Sequence, residues 1–340
     1  MTAPTPTRSA AIDSVRIIGI IAVIVGHTWE TEMFQRLIYS WQVPIFFVLT
    51  GYFWTAIRPM RVEVHKRSLT LLRPYVFWLV AIATLVVAKA IAQGDTNGLA
   101  SQLGKMLIGG SYAVRPFTAF WFATGLFFGA VGLRAMQRLP YWAQWSAALI
   151  MLAIAYIAPA LVKGIPLAAG TGLACVVFVI AGTLFRRIHG HIPAAPVLGA
   201  LAVGAGLLLA GFGITEFMSL KNAYFGTPVA SVLVAVAISI GLILVAEWVI
   251  PKLGASTNDA ITTVAACGLM VVLTHPVVLW VLSTPPSGSW LAFVLAVALP
   301  WATALVLLRT PLSPWALGVP QRGRLSSASS LGRHTRQSAN

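Results

Sequence analysis

The chain has 340 residues, of which 58% are hydrophobic and only 9% are charged. About a quarter of the residues are charged in a typical soluble domain, so this composition excludes an ordinary soluble protein and predicts an all-α, polytopic membrane protein. The formal net charge of +15 is explained by basic loops at an anionic membrane surface, and no nucleic-acid partner is needed to account for it.

Ten apolar segments are each long enough to cross a hydrocarbon core about 30 Å thick as a helix. They span residues 15–28, 40–57, 71–92, 117–134, 142–162, 166–185, 196–215, 227–248, 261–282 and 289–309. Cytoplasmic loops carry an excess of Lys and Arg. A correct number of segments should therefore place most basic residues on one side of the membrane. If the N-terminus is cytoplasmic, most of the 23 basic residues fall on its side. The opposite side keeps only Arg36, Lys105, Arg115, Lys163 and Lys221. The bias predicts a transmembrane bundle of about ten helices with both termini cytoplasmic.

The segments divide the chain into three predicted parts. Residues 1–14 form a short cytoplasmic N-terminus, residues 15–310 the transmembrane domain, and residues 311–340 a cytoplasmic tail whose polar composition is typical of disorder. Neither Cys175 nor Cys267 has the spacing of a metal site or a redox motif, and we predict no metal centre.

The first apolar segment contains two ionisable residues, Arg16 and His27. Eleven residues of α-helix turn through about 1,100° and rise roughly 16 Å, so the two side chains lie on nearly one face. Asp13 precedes Arg16 by three residues, and either orients its guanidinium or is a solvated acid at the helix start. Glu30 follows His27 at the other end. It raises the basicity of His27, lines a route for an acceptor, or is an ordinary loop carboxylate.

The second apolar segment contains the run PIFFVLTGY from Pro44 to Tyr52. A proline inside an apolar helix removes a backbone hydrogen bond and can kink it, and a glycine lets two membrane helices approach closely. We therefore expect this run to shape a cavity beside the first helix. Thr50 would bond a substrate or the backbone there.

Two further groups of polar residues stand out along the chain. Lys66, Arg67 and Arg73 belong to its densest basic cluster, which the excess of positive charge in cytoplasmic loops would also explain. His275 is followed by Pro276 within the ninth apolar segment. It indicates either a polar cavity or a structural histidine.

Several of these elements, in the same order, resemble the membrane acyltransferase-3 family. They are Asp13-x-x-Arg16-(x10)-His27, the run Val43 to Tyr52 beside the family signature PxFFxxSG(Y/F), Lys66-Arg67 with Leu72-Arg73-Pro74-Tyr75, Phe120-Trp121-Phe122, and Leu273-Thr274-His275-Pro276. Thr50 stands where the family usually has serine, which keeps the hydroxyl. Val271 and Val272 stand where the family often has a tyrosine. The likeness spans most of residues 11–310.

The resemblance implies an O-acyltransferase of the inner (plasma) membrane. It would move an acetyl or other short acyl group from cytoplasmic acyl-CoA, a co-substrate and not a resident cofactor, to a hydroxyl of an envelope glycan or glycolipid. His27 is then the general base, because imidazole is readily neutral and basic at physiological pH. Arg16 orients the donor or stabilises its charge, or else is a snorkelling anchor at the membrane edge, while Lys66, Arg67 and Arg73 contact the donor's phosphates. Asp13, Glu30, Thr50 and His275 are supporting residues.

Two other classes of protein fit the composition. A transporter or flippase of an envelope precursor also needs many helices and buried charge, although the polar residues here concentrate in the first three segments and no inverted repeat is visible. A non-enzymatic membrane sensor is the second class. An assay for acyl transfer separates both from an enzyme.

Overall fold

The computed structural model describes residues 9–55 and 58–322, which form an all-α fold. The α-helices are α1 (Ala10–Thr28), α2 (Glu32–Phe34), α3 (Pro44–Tyr52), α4 (Met60–Arg67), α5 (Arg73–Gln93), α6 (Leu99–Ile108), α7 (Trp121–Met136), α8 (Tyr141–Ile157), α9 (Pro159–Gly164), α10 (Ala169–Ala174), α11 (Val176–Ile188), α12 (Ala195–Gly211), α13 (Ala230–Val249), α14 (Ala255–Ala266), α15 (Gly268–Val281), α16 (Trp290–Leu307) and α17 (Ser313–Ala316). Two π-helical segments, Gln35–Tyr39 and Ser68–Leu72, follow α2 and join α4 to α5.

Every predicted apolar segment contains helix, but fewer than ten of these helices qualify as complete spans. Among the described residues, four continuous helices are long and apolar enough to cross a membrane: Ala10–Thr28, Met60–Gln93, Ala230–Leu253 and Trp290–Leu307. Two bent pairs raise the number to six: Pro166–Ala174 with Val176–His191, bent by 44°, and Ala255–Ala266 with Gly268–Val281, bent by 60°. Helices α7, α8 and α12 are apolar but shorter. The count of ten and the cytoplasmic location of the termini stay predictions.

Helix α1 lies at the centre of the fold, in contact with α13, α14, α15 and α16. It begins where the Ser9 side chain accepts a hydrogen bond from the backbone N–H of Ile12, which satisfies one of the free donors at a helix start. It ends at Trp29, whose backbone is extended. This central position explains why most of α1 is buried.

Helix α3 is shorter than the second predicted segment, and its proline has a different role from the one expected. Pro44 lies in the first turn of α3, where its missing N–H is not needed. It therefore starts the helix and does not kink it. The following residues pack α3 against α11.

Two glycines set the distance between α3 and α11. A Cβ atom on Gly51 would lie 1.8 Å from the carbonyl oxygen of Val179, and one on Gly182 would lie 2.0 Å from the carbonyl oxygen of Val48. The two backbones thus touch directly, as glycine permits in membrane helices. This contact holds the PIFFVLTGY run in place beside α1.

The C-terminal part of the chain is ordered further than predicted. Residues 311–322, which we assigned to a disordered tail, include α17 and turn back onto α5. The indole N–H of Trp78 donates to the carbonyl oxygen of Ala316 at 2.8 Å, and both Ala316 and Leu317 are buried. Apolar burial and this hydrogen bond fix the segment. The rest of the predicted tail, 323–340, lies outside the described residues.

Candidate active site

Two cavities lie along one face of α1. The His27 cavity, of about 300 Å³, is bordered by Val23 and His27. The Arg16 cavity, of about 470 Å³, is bordered by Arg16 and Ile20. These four residues are spaced four, three and four apart, which places them in one stripe of a helix. The sequence-based expectation that Arg16 and His27 share a face agrees with this geometry.

The two cavities meet at a shared wall. Phe122 of α7 and Val272 of α15 border both of them. The ring of Phe122 also meets the ring of Phe46 edge to face, with centroids 4.9 Å apart. A constriction of apolar side chains therefore lies between the Arg16 end and the His27 end.

A second histidine, His275, packs against His27 in the interior. The rings of His27 and His275 meet edge to face with centroids 5.1 Å apart. Nδ1 of His275 lies 3.1 Å from the carbonyl oxygen of Val271, so this nitrogen carries the proton and donates. Its Nε2 atom is buried and has no hydrogen-bond partner among the described residues.

An ion pair borders the cavity beside His27. Nη2 of Arg115 lies 2.7 Å from Oε1 of Glu30 and donates to the carbonyl oxygen of His27 at 2.8 Å. Its Nη1 donates to the carbonyl oxygen of Thr284 at 3.2 Å. Glu30 therefore lines the cavity, with its charge balanced by Arg115.

The His27 cavity also contains a lysine from a distant loop. Nζ of Lys221 donates to the carbonyl oxygen of Ala113 at 2.5 Å and to Oγ1 of Thr118 at 2.9 Å. Burial lowers the pKa of Lys221 to about 8, since partial removal from water disfavours the charged amine. Tyr39 borders the same cavity, and its hydroxyl donates to the carbonyl oxygen of Gly26 at 3.1 Å.

Sequence reasoning missed Arg115 and Lys221 as site residues. Both belong to the small set of basic residues on the side that the charge bias leaves poor in Lys and Arg. The charge bias does not explain a basic residue on this side, so its presence there was the available signal of a functional role. Their convergence on His27 follows from tertiary packing, which no local spacing reveals.

At the Arg16 cavity, the guanidinium of Arg16 is positioned by two neighbouring side chains. Nη1 of Arg16 lies 2.7 Å from Oδ1 of Asp13, whose side chain is fully buried. The guanidinium also lies over the ring of Phe53, 5.2 Å from its centroid. Asp13 is therefore a partner of Arg16 and not a solvated acid. Thr50 borders the cavity, and its hydroxyl donates to the carbonyl oxygen of Phe46 at 2.9 Å.

Two of the three basic residues predicted to bind phosphate reach this cavity. Lys66 and Arg67 border it, whereas Arg73 does not: its guanidinium lies over the ring of Trp315, 5.3 Å from the centroid, at a separate surface. Arg67 is held by Glu63, with Nε 2.9 Å from Oε1.

Glu63 is shared among three arginines. Besides Arg67, it pairs with Arg58 at 3.3 Å and with Arg134 at 3.1 Å. One buried carboxylate contacts three guanidinium groups here, so a net positive charge remains beside the Arg16 cavity. This is the end of the bundle that we predict to be cytoplasmic. Anions are attracted to such a surface.

The C-terminal segment completes the Arg16 cavity. Leu317, Gly318 and Val319 border it, and Arg322 anchors the segment through an ion pair of 2.9 Å with Asp259. Residues that we had assigned to a tail thus form one wall of the site.

Comparison with known proteins accords with this arrangement. The model of the acyltransferase-3 family, described as an acyltransferase domain, matches residues 9–309. No curated protein and no solved structure matches the chain. The matched residues include both cavities along α1, except for the wall formed by the C-terminal segment. This chain belongs to the acyltransferase-3 family of membrane acyltransferases.

Proposed function

We propose that the protein is an inner-membrane O-acyltransferase. It moves an acetyl or other short acyl group from cytoplasmic acyl-CoA to a hydroxyl of an envelope carbohydrate or glycolipid. The observation that supports this proposal is the pair of cavities on one face of α1, with Arg16 at one and His27 at the other. One cavity suits an anionic donor, and the other suits a polar acceptor.

The donor end is the Arg16 cavity. Arg16, Lys66 and Arg67 border it, and the excess of guanidinium groups around Glu63 keeps the region positive. The phosphates of CoA carry several negative charges, which guanidinium groups bind well. The axial rise of roughly 16 Å between Arg16 and His27 is of the order of a pantetheine arm. The thioester would reach the constriction at Phe122 and Val272.

The acceptor end is the His27 cavity. The neutral imidazole of His27 removes the proton of the acceptor hydroxyl, whose oxygen forms a bond to the thioester carbonyl carbon. The carbon–sulfur bond then breaks, and the departing CoA thiolate takes the proton from the imidazolium. The ester and free CoA are the products. Arg115 positions His27 through its backbone carbonyl, and His275 packs against its ring.

Replacement of His27 tests the proposal. We expect His27→Ala to abolish transfer of labelled acetyl from acetyl-CoA in isolated membranes, with the protein still present at its usual level. His65 provides a matched control, because it is an exposed histidine outside both cavities. His65→Ala should keep full activity. Transfer that persists in His27→Ala contradicts the role of His27 as base.

The acceptor is then identified by mass spectrometry of envelope glycans and lipids. Cells with and without the gene should differ in one species by the mass of a single acyl group. A transporter or flippase would instead change the location of a precursor and leave its mass unaltered. This comparison names the acyl group and the acceptor together.

A further inference from the structure

One positive charge in the His27 cavity, that of Lys221, has no counter-ion in the part of the chain that the structure describes. Arg115 is balanced by Glu30 at 2.7 Å. The ammonium of Lys221 instead contacts two neutral oxygens, the carbonyl of Ala113 and the hydroxyl of Thr118. Across residues 9–55 and 58–322, no carboxylate forms an ion pair with Lys221.

The ammonium group keeps hydrogen-bonding capacity for a ligand. It has three N–H donors, and the two protein oxygens take two of them. A partly buried cation without a counter-ion carries a desolvation cost. Burial also lowers the pKa of Lys221 to about 8, which reports the same lack of compensation. An anion in the cavity would supply both the missing charge and the third acceptor.

We propose that the acceptor carries an anionic group, a carboxylate or a phosphate, which Lys221 binds while a neighbouring hydroxyl lies at His27. This inference rests on the proposed function, because it specifies the class of acceptor at the same site. The cavity of about 300 Å³ has the size of a small-molecule site. An acidic or phosphorylated sugar unit combines the anion, the hydroxyl and a ring face for Trp121 and Tyr39, which border the cavity.

A purely structural role for Lys221 predicts something different. Lys221 joins the loop before α7 to the loop before α13 through its two hydrogen bonds. If this were its whole purpose, bound anions and neutral sugars would affect Lys221 equally. Discrimination between them is therefore the decisive property.

Chemical labelling of Lys221 measures that discrimination without acyl transfer. The purified full-length protein is treated with formaldehyde and a mild reductant, and methylation of each lysine is followed by mass spectrometry. Three probes are added in turn, all of them methyl glycosides with no free aldehyde: methyl glucuronide, methyl glucoside 6-phosphate and methyl glucoside. We expect one or both anionic probes to slow methylation of Lys221 roughly tenfold, in line with a charged hydrogen bond, and the neutral glucoside to have no effect. Lys163 and Lys105, which are exposed and outside the cavity, serve as internal controls.

Each outcome of the labelling experiment is decisive. Protection by glucuronide alone identifies a carboxylate, and protection by the phosphate alone identifies a phosphoryl group. Equal protection by all three probes, or by none, overturns the proposal. Because no turnover is needed, the result is independent of whether the protein proves to be an acyltransferase.

Variants of Lys221 extend the test to catalysis. With acetyl-CoA as donor, Lys221→Gln should lower the preference in kcat/KM for methyl glucuronide or methyl glucoside 6-phosphate over methyl glucoside roughly tenfold or more, mainly through KM. Lys221→Arg should keep it, and Lys163→Gln should not change it. A preference that survives Lys221→Gln contradicts the proposal. If the wild-type protein transfers no acyl group although anions still protect its Lys221 from methylation, the proposed function is contradicted and the anion site is not.

Discussion

Asp13 controls Arg16 at the scale of single residues. Its carboxylate is fully buried and 2.7 Å from the guanidinium, so it restricts the rotamers from which Arg16 meets a donor phosphate. We expect Asp13→Asn to raise the KM for acetyl-CoA roughly tenfold, because the ion pair becomes a weaker hydrogen bond to a neutral amide and holds Arg16 less firmly. Steady-state kinetics in membranes measure this change.

The ion pair of Glu32 with Arg36 is the control for Asp13. It also joins two residues about one helical turn apart, at i and i+4, but its side chains are exposed, and exposed pairs contribute little. Glu32→Gln should leave the KM for acetyl-CoA unchanged. If Asp13→Asn behaves like Glu32→Gln, Asp13 does not position Arg16 for the donor.

The ionisation of Lys221 gives a second prediction for a single residue. With its pKa lowered to about 8, the amine is charged below that pH and neutral above it. The preference for an anionic over a neutral acceptor should therefore fall as pH rises from 7 to 9. His27 serves both acceptors, and the Arg115–Glu30 pair faces both, so the ratio of their kcat/KM values isolates Lys221. A ratio that is constant across this range would count against Lys221 as the anion-binding group.

At the scale of helices, the contact between α3 and α11 supports the site. A methyl group on Gly51 would meet the carbonyl oxygen of Val179 at 1.8 Å, and neither backbone can yield without separating the helices. Gly51→Ala should cost more than the 1–3 kcal/mol of ordinary overpacking and reduce the yield of folded protein. Thermal unfolding in detergent and size-exclusion chromatography measure the effect.

Gly204 on α12 is the matched control for Gly51. A Cβ atom there would meet nothing within 4 Å. Gly204→Ala should be neutral or stabilise the helix by up to about 1 kcal/mol. Equal stability of the two variants would show that the close approach of α3 and α11 is not required.

The helices also show which parts of the fold local sequence can predict. Each apolar run in the sequence predicted a segment that contains helix in the structure. The spacing of Arg16 and His27 predicted the face of α1 that borders both cavities. Periodicity could not reveal that α3 has only nine residues, because an apolar run does not say where a helix starts. It also could not show that residues 311–322 fold back, since their contacts, such as Trp78 with Ala316, are long-range.

The candidate site was predictable to the extent that it lies on α1. Asp13, Arg16, His27 and Glu30 come from one helix and its end. Lys66 and Arg67 border the Arg16 cavity, whereas Arg73, the first residue of α5, lies over Trp315 at a separate surface.

At the scale of the whole molecule, the wall between the cavities should select the acyl group. Phe122 borders both cavities and packs against Phe46. Phe122→Ala removes this wall, so we expect relative kcat/KM to shift from acetyl-CoA towards longer acyl-CoA donors such as octanoyl-CoA. Phe127→Ala is the control, because Phe127 lies on the same helix but borders neither cavity. If both variants have the same donor preference, Phe122 does not determine the length of the acyl chain that the protein accepts.

The central claim is a division of labour between the two cavities, with donor binding at Arg16 and chemistry at His27. A single-turnover experiment tests it most directly: labelled acetyl-CoA is bound to purified wild-type and His27→Ala protein, an envelope extract is added as acceptor, and the label is followed. We expect the wild type to pass the label to the acceptor and His27→Ala to retain it as bound acetyl-CoA. Transfer by His27→Ala at the wild-type rate, or its failure to bind acetyl-CoA, would contradict the claim.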